Sequence, residues 1–148
     1  MFFTTATGYA LRALAALPED GTFSLAKNLA ARLGLPGPYL AKILQELVQA
    51  QLLESMRGPK GGFRLTRPSH RITVGEVVAA MEGPEALAGC IMGFPSCGDE
   101  HPCPLHDAWS AVKAQVSTSM TEATIRDLQL MDLRHQNEAK GRSAKPWP

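Results

Sequence analysis

Residues 38–68, PYLAKILQELVQAQLLESMRGPKGGFRLTRP, change from one periodicity to another midway along the stretch. Over residues 38–50 the apolar residues recur at helical spacing and Pro38 suits a first helical turn, which predicts a helix. The runs LLESM (52–56) and FRLTR (63–67) are strand-like, the second alternating apolar and polar residues, and they flank the basic, glycine-rich RGPKGG. The stretch therefore predicts a helix followed by a β-hairpin with a basic tip.

Helical spacing of apolar residues also predicts helices on both sides of this stretch. The first spans residues 4–17 and is ended by Pro18. The second spans residues 24–33, with Ser24 as its N-cap and Gly34 as its stop. The last of them spans residues 73–82, where a Thr73–Glu76 capping box opens it and Gly83–Pro84 stop it. Two helices, a tight turn, a third helix and a hairpin are the order of elements in a winged helix-turn-helix.

The C-terminal part predicts a long helix that opens at Pro104. One face of that helix carries Leu105, Trp109, Val112 and Val116. This face either packs on its own domain or forms the seam of a dimer; two half-sites on DNA call for a two-fold protein, which favours the dimer. A short helix is expected over residues 124–134, and the polar end over residues 135–148 is expected to be mobile.

Charge is distributed unevenly along a chain whose net charge is only +1. Residues 1–71 carry nine Lys and Arg against four Asp and Glu, a net charge of +5, whereas residues 72–134 carry three basic against nine acidic side chains, a net charge of −6. A basic half beside an acidic half indicates a module for polyanions joined to another part. The sequence has no run of about 18 apolar residues and no basic leader, so we expect a cytoplasmic protein without a membrane span.

The predicted third helix and hairpin present side chains suited to DNA. Tyr39 and Lys42 lie early on the polar face of the helix, where a recognition helix reaches base edges in the major groove. Arg57 and Lys60 lie at the hairpin tip. Three glycines there would let backbone N–H groups approach phosphates closely: Gly58, Gly61 and Gly62. We predict binding of double-stranded operator DNA; a solvated helix face with an ordinary turn is the alternative.

All three cysteines lie in one segment, as Cys90-x6-Cys97-x5-Cys103, with His106 close behind. In a cytoplasmic protein, clustered thiols bind metal or take part in redox chemistry more often than they form structural disulfides. Thiolates with an imidazole suit zinc or an iron–sulfur cluster rather than magnesium or calcium. The spacing is wider than the Cys-x2-Cys of most structural zinc sites. From the residues alone, a cluster, a zinc or redox-thiol site and a metal-free loop all stay open.

Several motifs are shared with one known family: GYALRALAAL (8–17), the stretch 39–68, ITVGEVVAAMEG (72–83) and three cysteines ending in CPLHDAW (103–109). Over about residues 1–134 the chain resembles the Rrf-two family of bacterial transcriptional regulators, of the IscR, NsrR and RirA type. The resemblance implies a homodimeric winged-helix repressor or activator. In many members the cysteines hold an iron–sulfur cluster that senses iron–sulfur status, nitric oxide or oxidants, and the long helix after it forms the dimer.

The resemblance also implies roles for single residues. Pro38, Tyr39 and Ala41 would lie at base-reading positions and Arg57 at the minor groove, although IscR-like members carry a glutamate where Ala41 stands. His106 matches the fourth ligand of IscR-like members. NsrR-like members use instead an acid at the position of Gly8, which cannot coordinate. The predicted DNA-contacting residues are Ser24, Pro38, Tyr39, Ala41, Lys42, Arg57, Lys60, Gly61 and Gly62, and the predicted metal ligands are Cys90, Cys97, Cys103 and His106.

The sequence thus predicts a regulator, a repressor in this interpretation, that senses through a 2Fe–2S or 4Fe–4S cluster. Its predicted parts are a winged helix-turn-helix DNA-binding domain (1–83), a cysteine-rich cluster-binding loop (84–104), dimerisation helices (105–134) and a mobile tail (135–148). One alternative is a cluster-free regulator of the same fold that uses zinc or thiols as its switch. A cysteine-dependent enzyme is a remote alternative, because the sequence carries no signature of an oxyanion hole or a substrate pocket. A protein-docking adaptor would show no salt-dependent DNA binding.

Overall fold

The computed structural model describes the backbone of residues 3–141 and the side chains of residues 3–137. Within that range the chain forms α1 (Thr5–Ala16), α2 (Ala26–Leu33), α3 (Gly37–Gln49), β1 (Leu53–Met56), β2 (Gly62–Leu65), α4 (Val74–Glu82), α5 (His106–Glu122) and α6 (Ile125–Gly141), with a short 3-10 turn at Ser69–Arg71. This order confirms the predicted fold class, mainly α with a two-stranded wing. None of the helices in the described range has both the length and the apolar character that crossing a bilayer requires.

One hydrophobic core joins α1, α2, α3, the base of the wing, α4 and the start of α6. The predicted stripe of α3 supplies much of it, because residues three and four apart along a helix share one face. Fully buried side chains in this core are Leu14, Leu29, Leu40, Leu44, Leu47, Leu53, Ile72, Val77 and Ile125. Burial of Ile125 brings the last helix back onto the helix-turn-helix, where α6 packs against α1.

The wing has the predicted hairpin form with slightly different bounds. Its antiparallel register places Leu53 opposite Leu65 and Met56 opposite Gly62. The first strand begins one residue later than expected, and the second runs from Gly62 to Leu65 rather than from residue 63 to residue 67. The basic tip over residues 57–61 therefore projects beyond two short strands.

Ser24 is not the N-cap of α2, so that prediction is wrong. Its backbone N–H and C=O both exchange hydrogen bonds with Phe63, at 2.9 Å each, which adds a one-residue bridge to the wing. Because this pairing holds Ser24 in an extended conformation, α2 begins at Ala26, with Leu25 as an N-cap that makes no side-chain bond. The predicted stop is confirmed: Gly34 takes φ +67° and its N–H bonds to the last carbonyls of the helix.

Side-chain caps fix the starts of α4 and α6. The predicted capping box is present in α4, where Thr73 accepts from Glu76 N–H and Glu76 accepts from Thr73 N–H. A similar exchange between Thr124 and Asp127 opens α6. The predicted helix over residues 124–134 extends further, to Gly141, so part of the predicted mobile tail is helical. Residues 142–148 of that tail lie outside the described residues.

The long helix α5 begins at His106 rather than at Pro104. The N–H of His106 bonds back to Cys103 O at 3.0 Å in a turn, and the first bond of the helix runs from Trp109 N–H to Leu105 O at 2.8 Å. Of its predicted apolar face, Trp109 is buried, whereas Leu105 and Val112 stay 47% and 40% exposed. Those two side chains are therefore available for a partner.

Candidate metal centre and nucleic-acid interface

The segment between α4 and α5, residues 84–105, contains the three cysteines and, in the described structure, forms neither an α-helix nor a strand. Successive backbone turns fold it: Gly93 N–H bonds to Cys90 O at 3.0 Å, and Cys97 N–H to Phe94 O at 3.2 Å. Two side chains of α5 hold its beginning. Trp109 Nε1 donates to Gly89 O at 2.9 Å, and Lys113 Nζ donates to Ala88 O at 3.4 Å. The segment thus wraps over the first turns of α5.

This wrapping brings the predicted ligands together. The Sγ atoms of Cys90, Cys97 and Cys103 all lie within 4.8 Å of one another. Cys90 Sγ is 3.6 Å from Cys103 Sγ, and Cys97 Sγ is 3.3 Å from His106 Nδ1. A cavity of about 180 Å³ adjoins these side chains. The four donors therefore form two contacting pairs, with His106 on the Cys97 side.

Hydrogen bonds within the group set its protonation. The backbone N–H of Cys103 and the imidazole of His106 lower the pKa of Cys97 to about 7. The N–H of Leu105 favours the Cys103 thiolate, but burial and the neighbouring thiols outweigh it and raise the pKa of Cys103. Hydrogen bonds with Cys97 and then Asp99 raise the pKa of His106. The Cys97 thiol thus ionises more readily than the Cys103 thiol, and a thiolate is what a metal ion or an oxidant requires.

The donor set fits a metal centre. With a metal–sulfur distance of about 2.3 Å, two ligands on one tetrahedral ion lie roughly 3.5 to 3.8 Å apart. Both close pairs, at 3.6 Å and 3.3 Å, approach that separation. Thiolates and imidazole are the ligands of zinc and of iron–sulfur clusters. His101, whose side chain is exposed, lies outside the group of three thiols.

The predicted DNA-contacting residues lie at the start of α3 and on the wing, except Ser24, which lies before α2 and pairs through its backbone with Phe63. Pro38, Tyr39 and Lys42 are exposed at the first turns of α3, and Ala41 between them is half-buried. Tyr39 meets the ring of Tyr9 edge to face, with centroids 6.0 Å apart, and the Arg12 guanidinium lies 5.5 Å from the Tyr9 centroid. These two α1 residues were not among the sequence predictions, because helical periodicity does not reveal that the two helices bring their tyrosines together.

Unpaired cations distinguish this surface from the rest of the wing. In the described part of the chain, Lys42, Arg57 and Lys60 have no ion-pair partner, whereas Arg64 pairs with Glu54 and Arg67 with Glu76. Unpaired guanidinium and ammonium groups are free to meet phosphates.

Two of the wing glycines have an internal reason to be glycine. A side chain on Gly61 would place Cβ 2.1 Å from Met56 O, and one on Gly62, where φ is +120°, would place it 2.1 Å from Ser24 O. Gly61 is buried and Gly62 half-buried, and the Ser24 backbone is engaged with Phe63. Of the three glycines at the wing tip, only Gly58 has no atom within 4 Å of the place that a Cβ would take. The close phosphate approach that we predicted for Gly61 and Gly62 stays a prediction.

The chain is similar to known transcriptional regulators in sequence. The profile of the Rrf2 family, described as iron-dependent transcriptional regulators, matches residues 3–130. A protein of Aquifex aeolicus, provisionally designated an HTH-type transcriptional regulator, is 30% identical over 139 residues, which cover 91% of this chain and 96% of that protein. The HTH-type transcriptional regulator IscR of Vibrio campbellii is 30% identical over 101 residues, covering 68% of this chain and 60% of that one.

Solved structures share the fold. CymR, the global cysteine regulator of B. subtilis, superposes with a TM-score of 0.72 at 25% identity, covering 87% of this chain and 96% of that one. IscR of T. potens superposes with a TM-score of 0.65 at 24% identity, covering 97% and 92%. These relatives are transcriptional regulators rather than enzymes, as the sequence predicted for this chain.

Proposed function

The chain belongs to the Rrf2 (Rrf-two) family of transcriptional regulators, and we propose that it represses transcription as a homodimer whose operator binding depends on an iron–sulfur cluster. The observation that carries the proposal is the pairing of the four donors: Cys90 with Cys103, and Cys97 with His106. Two pairs match the two irons of a 2Fe–2S cluster, each of which takes two protein ligands. When bound, such a cluster would supply a centre that reacts with oxidants and nitric oxide.

A regulator without a cluster is the second candidate, and one distance favours it. All three Sγ atoms lie within 4.8 Å of one another, which also suits a single zinc ion completed by His106. Without any metal, Cys90 and Cys103, 3.6 Å apart, are the pair closest to forming a disulfide on loss of two electrons and two protons to an oxidant such as a hydroperoxide.

The DNA-reading surface of the proposal consists of the start of α3 and the wing tip. A helix fits the major groove and its first residues reach base edges, which assigns base contacts to Pro38, Tyr39 and Ala41. Arg57 and Lys60, exposed and without ion-pair partners in the described residues, would contact the backbone or the minor groove.

Exposed apolar side chains support the proposed homodimer. Leu105, directly before α5, and Val112 of α5 are exposed near the buried Trp109, and α6 exposes Met131 and Leu133 by 48% and 53%. Two-fold symmetry would present two copies of α3 to the two halves of an operator.

Hydrogen bonds and a ring contact connect the end of α4 with α3, the helix proposed to read DNA. The segment that carries the thiols begins two residues after Glu82, the last residue of α4. The Glu82 carboxylate accepts hydrogen bonds from the N–H and hydroxyl of Thr4, both at 2.7 Å, and from the Thr7 hydroxyl. Thr4 and Thr7 lie at the start of α1, and the same helix carries Tyr9, whose ring contacts the Tyr39 ring edge to face. We propose that rearrangement of the segment shifts α1 and with it the position of α3, a two-state bias set by a ligand.

Anaerobic purification tests the cofactor first. The wild-type protein is expected to be brown and to contain iron and inorganic sulfide rather than zinc. Cys97→Ala should lose both, whereas Ser96→Ala, at the adjacent exposed residue, should keep them. Zinc in place of iron would favour the second candidate.

Binding to DNA selected from a random duplex pool tests the rest, with cluster-loaded and cluster-free protein compared at several salt concentrations. We expect the two forms to differ at least tenfold in affinity, and affinity to fall steeply with salt because phosphate contacts release counterions. Cys97→Ala should bind like the cluster-free wild type. Equal binding by all three proteins would exclude the sensing mechanism while leaving the DNA-binding assignment intact.

A further inference from the structure

We infer that Asp99 is a positioning residue of the metal centre: its carboxylate accepts a hydrogen bond from His106 Nε2–H, which leaves Nδ1 to the metal. The inference rests on the proposed function and adds to it a residue that is not itself a ligand. A metal-bound histidine commonly donates its second ring N–H to a carboxylate, which fixes the ring and makes the ligand nitrogen more basic.

The two ring nitrogens of His106 face different partners. Nδ1 lies 3.3 Å from Cys97 Sγ, and Nε2 lies 3.0 Å from Asp99 Oδ1. A carboxylate only accepts hydrogen bonds, so an imidazole that offers Nδ1 to a metal carries its N–H on Nε2, facing Asp99. The lone pair of Nδ1 then points into the group of thiols, where a metal ion would lie.

A closed turn puts Asp99 in this place. Gly98 and His101 exchange backbone hydrogen bonds, with Gly98 N–H to His101 O at 3.4 Å and His101 N–H to Gly98 O at 3.1 Å. Asp99 and Glu100 form the tip of that turn. Asp99 reaches back to His106, whereas Glu100 makes no hydrogen bond or ion pair in the described residues. The two neighbouring acids are therefore a matched pair for an experiment.

The exposure of Asp99 separates this role from a structural one. Its side chain is fully exposed, so its bond to His106 adds little to the stability of the fold. Removal of the carboxylate should leave the His106 ring less firmly oriented and lower the affinity for metal. The melting temperature of the metal-free protein should stay unchanged.

The test uses the metal-free full chain under anaerobic conditions with Co²⁺ as the probe. Asp99→Ala is expected to weaken Co²⁺ binding, followed by its visible absorption, by about 10- to 100-fold. In ¹⁵N spectra of the Zn²⁺-loaded protein, the His106 Nε2–H signal should shift in Asp99→Ala, because that N–H loses its acceptor. Asp99→Asn keeps an acceptor oxygen and should restore the Nε2–H signal, and Glu100→Ala should match the wild type in both measurements.

Asp99→Ala that matches Glu100→Ala in Co²⁺ affinity and in the His106 Nε2–H signal of the Zn²⁺-loaded protein would overturn the inference, even if the wild type carries a cluster. A wild type that takes up no iron and sulfide, yet loses Co²⁺ affinity on Asp99→Ala, would overturn the cluster proposal and support the inference.

Discussion

The winged-helix core and the cysteine segment hold their shapes by different means. In the core, side chains such as Leu14, Leu40 and Leu44 are fully buried, and burial of apolar surface fixes each element. In residues 84–105, the large apolar side chains Ile91, Met92 and Phe94 are 47–53% exposed, and backbone turns and four metal-type donors give the segment its path. The difference teaches that the winged-helix core is stable by packing, whereas the segment keeps its path through backbone turns and through contacts among its proposed metal ligands.

Deletion of the same number of side-chain carbon atoms in each region gives the largest expected difference. Leu44→Ala should lower the free energy of unfolding of the metal-free protein by about 2–5 kcal/mol, because it leaves a cavity in the core. Ile91→Ala, in the segment, should change it by less than about 0.5 kcal/mol. Urea denaturation followed by circular dichroism measures both values. Comparable losses for the two variants would show that the segment is part of the packed core.

A pair of glycines offers a second, smaller test. Gly62→Ala places Cβ against the Ser24 carbonyl at a positive φ, and the backbone conformation alone should cost about 1–3 kcal/mol. A methyl group on Gly89, beside Cys90, meets nothing within 4 Å, so Gly89→Ala should leave the free energy of unfolding nearly unchanged. Urea denaturation of both variants checks the prediction. A neutral Gly62→Ala would mean that the wing moves away from Ser24 without cost.

The smallest effect belongs to Glu82, at the junction of the two regions. The hydroxyl of Thr7, then the hydroxyl and N–H of Thr4, lower the pKa of Glu82 from its ordinary value of 4.5. Because the folded state lowers this pKa, the ionised carboxylate stabilises the fold above about pH 4.5, and that contribution is lost as the pH falls through the folded-state pKa. Solvent screening keeps it below about 1 kcal/mol.

Thermal unfolding between about pH 6 and pH 3 measures this contribution. Wild type should lose more stability on acidification than Glu82→Gln, since glutamine has no proton to take up. Glu85→Gln should follow the wild type, because Glu85 is an exposed neighbour whose side chain makes no hydrogen bond in the described residues. Identical slopes for Glu82→Gln and wild type would remove Glu82 from the proposed link between the cysteine segment and α1.

Much of the core could be predicted because its signals are local. The stripe of α3, the Thr73–Glu76 capping box and the Gly34 stop depend on residues a few positions apart, and all three are present. Ser24 shows where local reasoning fails. Serine before an apolar periodic run is a good N-cap by composition, but pairing with Phe63, far along the chain, takes it into the wing. The start of α5 was misplaced similarly, since Pro104 suits a first turn but the turn through Cys103 delays the helix.

By itself, the sequence determined the order of the elements and the wing, because periodicity and capping are properties of neighbouring residues. It also singled out three thiols as candidate metal donors by their chemistry, and His106 as a fourth by the family resemblance. Only the tertiary structure decided how those donors pair, that Asp99 reaches His106, and that Tyr9 meets Tyr39. Such contacts join residues on separate helices and turns. Their distances follow from how the elements pack in three dimensions, which spacing along the chain does not specify.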